Sequence, residues 1–259
     1  ALWSAAVHIV GKDILRFHAV YWPAFLMAAG LKLPAQIFAH GWWTNNGEKI
    51  SKSLGNTVDP VELVSKYGID GLRYFLFREV SFGQDGNFSH DALIGRMNSD
   101  LANSYGNLVQ RVLSIAQKNL SGIVPEPHEL KDQDEKLLQQ ADGLLATVRQ
   151  DMDTLMFHRV CEHIWRVIAE ANRYVDEEKP WVLKGTDVTR LQTVIYVLLE
   201  TIRKVALLTQ PLIPEGSSKI LDQLAIPLDE RDFTHWATPI QPGTTLPIPQ
   251  GVFPRFHQE

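Results

Sequence analysis

The sequence predicts an α/β unit followed by an all-α one, and three observations carry that prediction. A strand, a glycine and a helical pattern succeed one another near the start (7–10, Gly11, then 12–29). Asn46-Gly47 is a hairpin signal ahead of a lysine-bearing loop, because a type I′ turn needs positive φ at both central residues. From Asp91 onward only long 3.6-residue periodicities remain.

The bulk numbers bound the classes open to the chain. Its 259 residues, 45% hydrophobic and 21% charged, suffice for one large or two ordinary domains with real cores. A single cysteine, Cys161, excludes an intrachain disulfide and a cysteine zinc cluster, so no zinc site is expected, and it fits a reducing compartment. No apolar run reaches membrane-spanning length, and the start lacks the pattern of a signal peptide. Ala1-Leu2-Trp3 has no initiator Met, so Ala1 is not expected to be the native start. A net charge of −5 excludes a general nucleic-acid sponge; RNA binding would need basic groups gathered locally.

In order, 7–10 reads as a buried-type strand. In the helical pattern after Gly11, Ile14, Phe17, Tyr21, Phe25 and Ala28 share one apolar face, with Trp3, Trp22 and Pro23 as packing. Asp13 sits in the first turn, where the helix end favours a carboxylate. Strand, glycine and helix place a ligand at a parallel strand's end. There Gly11 would admit a ribose to the backbone and Asp13 could accept from its hydroxyls; a plain helix-start acid is the other reading. A second strand covers 36–41. Asp59-Pro60 starts a helix that Gly68 stops, and Asp70 caps the next, whose buried face is Leu72, Phe75 and Leu76. Residues 81–90 are polar and Gly-containing, hence loop.

The helical part follows from the same periodicity. Leu101, Tyr105, Leu108, Val112 and Ile115 mark the first long helix; others are expected at 135–156, 157–175, 189–208 and 216–224. The stripe of 157–175 is Phe157, Val160, Ile164, Ile168, Ala171 and Val175. The last thirty or so residues, rich in Pro and Gly, are expected to be irregular and held to the globule by Trp236, Phe253 and Phe256. The expected divisions are 1–58, 59–90, 91–224 and 225–259.

Two sets of residues carry chemistry. In Lys49-Ile50-Ser51-Lys52-Ser53 two ammonium groups and two hydroxyls share a flexible loop, which suits a polyphosphate whose charge grows as it leaves; a solvated lysine loop is the bland alternative. Asn103, Asn107 and Arg111 step by four off the apolar stripe, with Asn172 and Pro180-Trp181 further on. Amides and a guanidinium can bond base edges, and a tryptophan can stack an unpaired base. Ordinary helix surface for the polar residues, and core for Trp181, are the competing readings.

K-I-S-K-S-x-G-N followed by D-P resembles the KMSKS signature of class I aminoacyl-tRNA synthetases, with Ile for Met. Gly-Lys-Asp-Ile-x-x-Phe-His-x-x-x-Trp-Pro-Ala, Gly11 to Ala24, resembles the methionyl enzymes of that class. So do Asn107-Leu108-x-x-Arg111 and Ala171-Asn172-x-Tyr174 with Lys179-Pro180-Trp181. The resemblance runs from about residue 3 to 224. It implies the later part of a Rossmann-like nucleotide-binding domain (1–58), a connector that meets the tRNA stem (59–90) and an α-helix-bundle anticodon-binding domain (91–224). It further implies ATP with Mg2+, methionine and tRNA(Met) as partners and no membrane. Lys49, Lys52, Ser51 and Ser53 would act on the pyrophosphate, Gly11 and Asp13 on the adenosine, and Phe17 and His18 on methionine. Asn107, Arg111 and Trp181 would read a CAU anticodon. The His-x-Gly-His signature of the class is absent, since His8-Ile9-Val10-Gly11 places its glycine one position late. The N-terminal half of such an enzyme is therefore expected as a further partner, with the cytoplasm or mitochondrial matrix as its place. A non-catalytic tRNA-binding module and a valine, isoleucine or leucine synthetase are the alternatives.

Overall fold

The computed structural model of the chain describes residues 3–257, without the side chains of Ser4 and Lys52. The expectation about Ala1 falls outside the described residues. The chain forms two compact units, one of residues 1–59 and 79–90, the other of 60–78 and 91–259.

In the first unit, β1 (Val7–Gly11) and β2 (Gln36–His40) pair in parallel, with Gly11 opposite His40. The chain between them is helical but changes pitch. It passes from a 3-10 turn (Lys12–Ile14) through a π turn (Phe17–Tyr21) to α1 (Trp22–Ala28). Its predicted apolar face departs from expectation: Phe17 is 58% and Phe25 67% exposed, while Leu26 on another face is buried. Periodicity marks a face that seeks a partner, and within this unit that face is left open to solvent. The hairpin forms as read. β3 (Trp43–Asn45) turns back through Asn46 (φ 50°) and Gly47 (φ 82°) into antiparallel β4 (Glu48–Lys49). The segment read as loop contains a strand, β5 (Gly86–Phe88), parallel to β3. Three residues are too few to show an alternation in sequence, although Gly86 and Phe88 are buried and Asn87 exposed.

The second unit is helical: α2 (Pro60–Arg78), α3 (His90–Arg96), a π-helix (Met97–Gly106) running into α4 (Asn107–Asn119), α5 (Asp132–Asp153), α6 (Phe157–Glu178), α7 (Pro180–Thr186), α8 (Val188–Thr209) and α9 (Pro214–Gln223). Gly68, at φ 77° and ψ 161°, breaks α2 as its sequence demands. Asp70 does not cap its own helix. Its two carboxylate oxygens accept from the N–H groups of Glu215 (3.0 Å) and Gly216 (2.6 Å), so it caps α9 instead. Leu72 and Phe75 are buried as expected, whereas Leu76, also expected inside, is 46% exposed and Tyr74 fills the core.

α5 starts three residues earlier than its apolar pattern. Asp134 accepts from the Lys131 N–H in a capping box, and acids in a first turn favour the helix end. α7, with Pro180 at its first position, occupies what the sequence reads as a connection. α8 is the bundle's centre, buried on nearly all faces and packed by α4, α5, α6, α7 and α9. The tail lies on the helices: Trp236 Nε1 donates to the Asp142 carbonyl, and Asn98 holds the Phe256 backbone by both of its amide atoms. Among the described residues no helix is long and apolar enough to cross a membrane.

Candidate functional site

In the first unit the lysine loop and the β1 end meet at one ring. Lys12, between Gly11 and Asp13, sets its Nζ 4.3 Å from the Trp42 ring centroid, and Lys49 Nζ stands 5.7 Å from the same centroid. Lys12 also donates to both Asp85 oxygens at 2.7 Å, and Asp85 accepts from the Trp42 N–H at 2.8 Å. The Lys12 ammonium, helped by that N–H, holds the Asp85 carboxyl below its usual range. Gly41 makes the junction possible, since a Cβ there would lie 2.2 Å from the Gln84 carbonyl oxygen. At Gly11 a Cβ would lie 2.5 Å from Asp13 Oδ1. Glycine is therefore needed there for Asp13's own carboxylate to fold back against the strand end.

The loop's base is tied by Asn56, which sequence reasoning missed. Its Oδ1 accepts from Ser51 N (2.8 Å), its Nδ2 donates to the Lys49 carbonyl (3.0 Å), and its carbonyl accepts from Asn45 Nδ2 (3.0 Å). Beyond that tie Ser51 and Ser53 hydroxyls bond each other at 2.7 Å, and a 3-10 turn carries Lys52–Leu54. The Lys52 side chain is outside the described residues. Asn87 Oδ1 accepts from the Gly47 N–H and from Thr44, bracing the hairpin tip. Phe17 and His18 project from the π turn: Phe17 is edge-on to Tyr21, and His18 Nδ1 bonds the Ile14 carbonyl at 3.0 Å. A lone polar loop residue such as Asn56 or Asp85 has no periodicity to betray it.

In the second unit the structure brings Asn107, Arg111 and Trp181 to one cleft of about 740 Å³, with Asn103, Asn172, Asp176 and Lys184 on its wall. Arg111 is aimed by two acceptors, Asp176 Oδ1 at 3.0 Å and Asn172 Oδ1 at 3.5 Å. Asn172 is fixed in turn, donating to the Ser104 carbonyl at the π-helix. Trp181 is 46% exposed. Asn103 and Asn107 are exposed, whereas Leu101, Tyr105, Leu108 and Val112 are buried. Ile115, the last of that stripe, turns to the cleft and Ala116 takes its place inside. An indole face, amides and a held guanidinium in an open polar cleft can stack and hydrogen-bond an unstacked base. Cys161 lies in the core, and burial pushes its thiol up to about 12. Among the described residues no cluster of three or more His, Cys, Asp or Glu side chains is placed to hold a metal ion.

A cationic hairpin loop beside a parallel-strand end, with an open polar cleft on a separate helical unit, is the equipment of a class I tRNA synthetase. Residues 2–113 match the model for class I (M) tRNA synthetases, and residues 124–259 match that for the anticodon binding domain of methionyl tRNA ligase. The chain belongs to the methionyl-tRNA ligase family. It is 54% identical over 257 residues to the methionine–tRNA ligase of Brucella suis biovar 1, covering 99% of this chain and 50% of that protein. It is 53% identical over 258 residues to that of Mycobacterium leprae, covering 98% and 48%. Among solved structures, Mycobacterium tuberculosis methionyl-tRNA synthetase in complex with methionyl-adenylate superposes with a TM-score of 0.94 at 52% identity, over 98% of this chain and 50% of that one. Its apo form gives 0.93 at 48%, over 99% and 51%. The chain thus spans about half the length of the curated relatives it matches.

Proposed function

We propose that the chain supplies the lysine loop and the anticodon-binding bundle of an enzyme that joins methionine to tRNA(Met) through a methionyl-adenylate. The observation that supports this reading is the shared Trp42 ring, whose centroid lies 5.7 Å from Lys49 Nζ of the loop and 4.3 Å from Lys12 Nζ of the β1 end. In the reaction the methionine carboxylate attacks the ATP α-phosphate and pyrophosphate leaves; the terminal ribose hydroxyl of the tRNA then attacks the adenylate's carbonyl carbon, the acyl–phosphate bond breaks and AMP leaves. Lys49 and Lys52 stabilise the departing pyrophosphate, and Ser51 and Ser53 bond phosphate or shape the loop. Asp13 accepts from the ribose, and Phe17 and His18 line the methionine side chain. Mg2+ arrives with ATP as substrate; the described residues offer it no cluster of their own. With no protein nucleophile, catalysis is positioning and electrostatics.

The partner for the open apolar face of the first unit is the remaining part of such a ligase, bearing His-x-Gly-His. Ile9, Phe17, Phe25, Met27 and Leu31 are all exposed, a surface that favours burial. The expected setting is the cytoplasm or mitochondrial matrix. Amino-acid-dependent ATP–pyrophosphate exchange tests the assignment, using the chain extended to the length of its relatives and a panel of amino acids. Methionine alone should support exchange. Exchange with valine, isoleucine or leucine instead would move the chain to another class I enzyme, and none with any amino acid would leave a tRNA-binding module.

A further inference from the structure

Arg190, in the first turn of α8, is buried, and all its polar edges are used. Its Nη groups reach Asp134 at 2.5 and 2.8 Å, and its Nε donates to Glu178 Oε2 at 2.9 Å. Asp134 also accepts from the Tyr174 hydroxyl, and Glu178 from Gln133 Nε2 at 2.6 Å. No step of the proposed reaction uses this network. Its net stabilisation is also doubtful ground for its presence, since apolar replacements of buried ion pairs often do as well. What the Glu178–Arg190 pair does have is an unusual position along the chain. Glu178 is the last residue of α6, and Arg190 lies twelve residues later.

Between them the chain makes one excursion. Lys179 adopts the left-handed conformation (φ 47°, ψ 58°), costly for a residue with a Cβ, and ends α6. Pro180 opens α7, Trp181 and Lys184 face the cleft, and Asp187 caps α8 by accepting from the Arg190 N–H. An excursion with a strained corner holds its shape only where its ends are held. We propose that the Glu178–Arg190 pair is a bracket that closes the ends of this excursion and so sets the Trp181 indole in the cleft, making both positioning residues for RNA recognition. This rests on the reading of the cleft as the CAU-binding site.

The test measures binding of the 259-residue chain to an RNA hairpin with a CAU loop and to one with a scrambled loop, for Glu178→Ala, Trp181→Ala and the double variant. Glu178→Ala leaves Asp134 on the guanidinium, so the bundle should stay folded by circular dichroism. Trp181→Ala should weaken CAU binding between about fivefold and a hundredfold, the worth of one stacked base. Glu178→Ala should lose a large part of the same factor, and the double variant should bind as Trp181→Ala does, because the bracket acts only through the indole. Wild-type binding by Glu178→Ala, or a loss that persists in full when Trp181 is already gone, overturns the bracket. If Trp181→Ala itself binds like wild type, the cleft reading fails and the inference falls with it. Should Glu178→Ala not fold, Glu178→Gln decides. It keeps the side chain's size but removes the charge that pairs with Arg190, and must weaken CAU binding in the same indole-dependent way; unchanged binding overturns the proposal.

Discussion

Asn56 holds Lys49 from across the loop: its side-chain amide donates to the Lys49 carbonyl at 3.0 Å while its carbonyl end takes the Ser51 N–H. Two bonds from one side chain tie the two ends of the loop's base together. A cation stabilises developing charge in proportion to how well it is placed beforehand, which is the role proposed for Lys49 and Lys52. Asn56→Ala in the full-length enzyme should therefore slow methionine-dependent pyrophosphate exchange on the order of tenfold, about 1.4 kcal/mol. Unchanged exchange would mean the tie is only structural.

Gly41 offers a second handle on the same region. The Gln84 carbonyl oxygen lies 2.2 Å from where a Cβ would stand, and backbone cannot swing away as a side-chain tip can. Gly41→Ala should separate the Asp85 segment from Trp42, lowering exchange and thermal stability together. A variant with wild-type melting temperature and exchange would contradict the packing described.

In the cleft, Arg111 is forked between Asp176 and Asn172. Lysine carries the charge but not the planar fork. Arg111→Lys should keep the fold and weaken CAU-hairpin binding by about 1–3 kcal/mol, as for a lost guanidinium contact to a base. Filter binding or calorimetry at fixed salt reads this directly.

The Asp134–Arg190–Glu178 network makes stability depend on pH. Burial pushes both carboxyls up, but the Arg190 guanidinium, with Tyr174 and Lys131 at Asp134 and Gln133 at Glu178, brings each below its ordinary value. A carboxyl depressed in the folded state stabilises fully above its unfolded pKa of about 4 and loses that contribution as pH falls through the folded value. Melting temperature should thus decline as pH drops below about 4, and Arg190→Met should reduce the part of that decline due to these two acids. At neutral pH Arg190→Met should cost about 3–5 kcal/mol, because two buried carboxylates are left without their cation. A fully unaltered pH profile in Arg190→Met would remove the network from the account.

Much of this is legible in the sequence. The parallel pair around Gly11, the Asn46-Gly47 turn, the break at Gly68, the stripes of α4 and α6 and the extent of α8 follow from local rules of spacing and φ. Asn107 and Arg111 could be picked out as lying off the apolar stripe, and Trp181 as a tryptophan directly after a proline at a helix boundary. What stayed hidden depends on contacts distant in sequence. β5 exists because Trp43 pairs it from more than forty positions away. Asp70 caps a helix that begins at Pro214. Asn56 and Asp85 act singly, with no period to reveal them. The exposure of Phe17 and Phe25 was hidden for another reason: an apolar stripe records the need for a partner, never where the partner lies.

The most direct test of the division of labour, a lysine loop for the pyrophosphate and a helical cleft for the RNA, is methionine-dependent ATP–pyrophosphate exchange measured side by side on Lys52→Ala and Trp181→Ala in the full-length enzyme. Lys52→Ala should lose at least roughly tenfold, the low end for a removed transition-state contact. Trp181→Ala should exchange at the wild-type rate while aminoacylating tRNA poorly. Undiminished exchange by Lys52→Ala, or equal loss of both activities in Trp181→Ala, would contradict it.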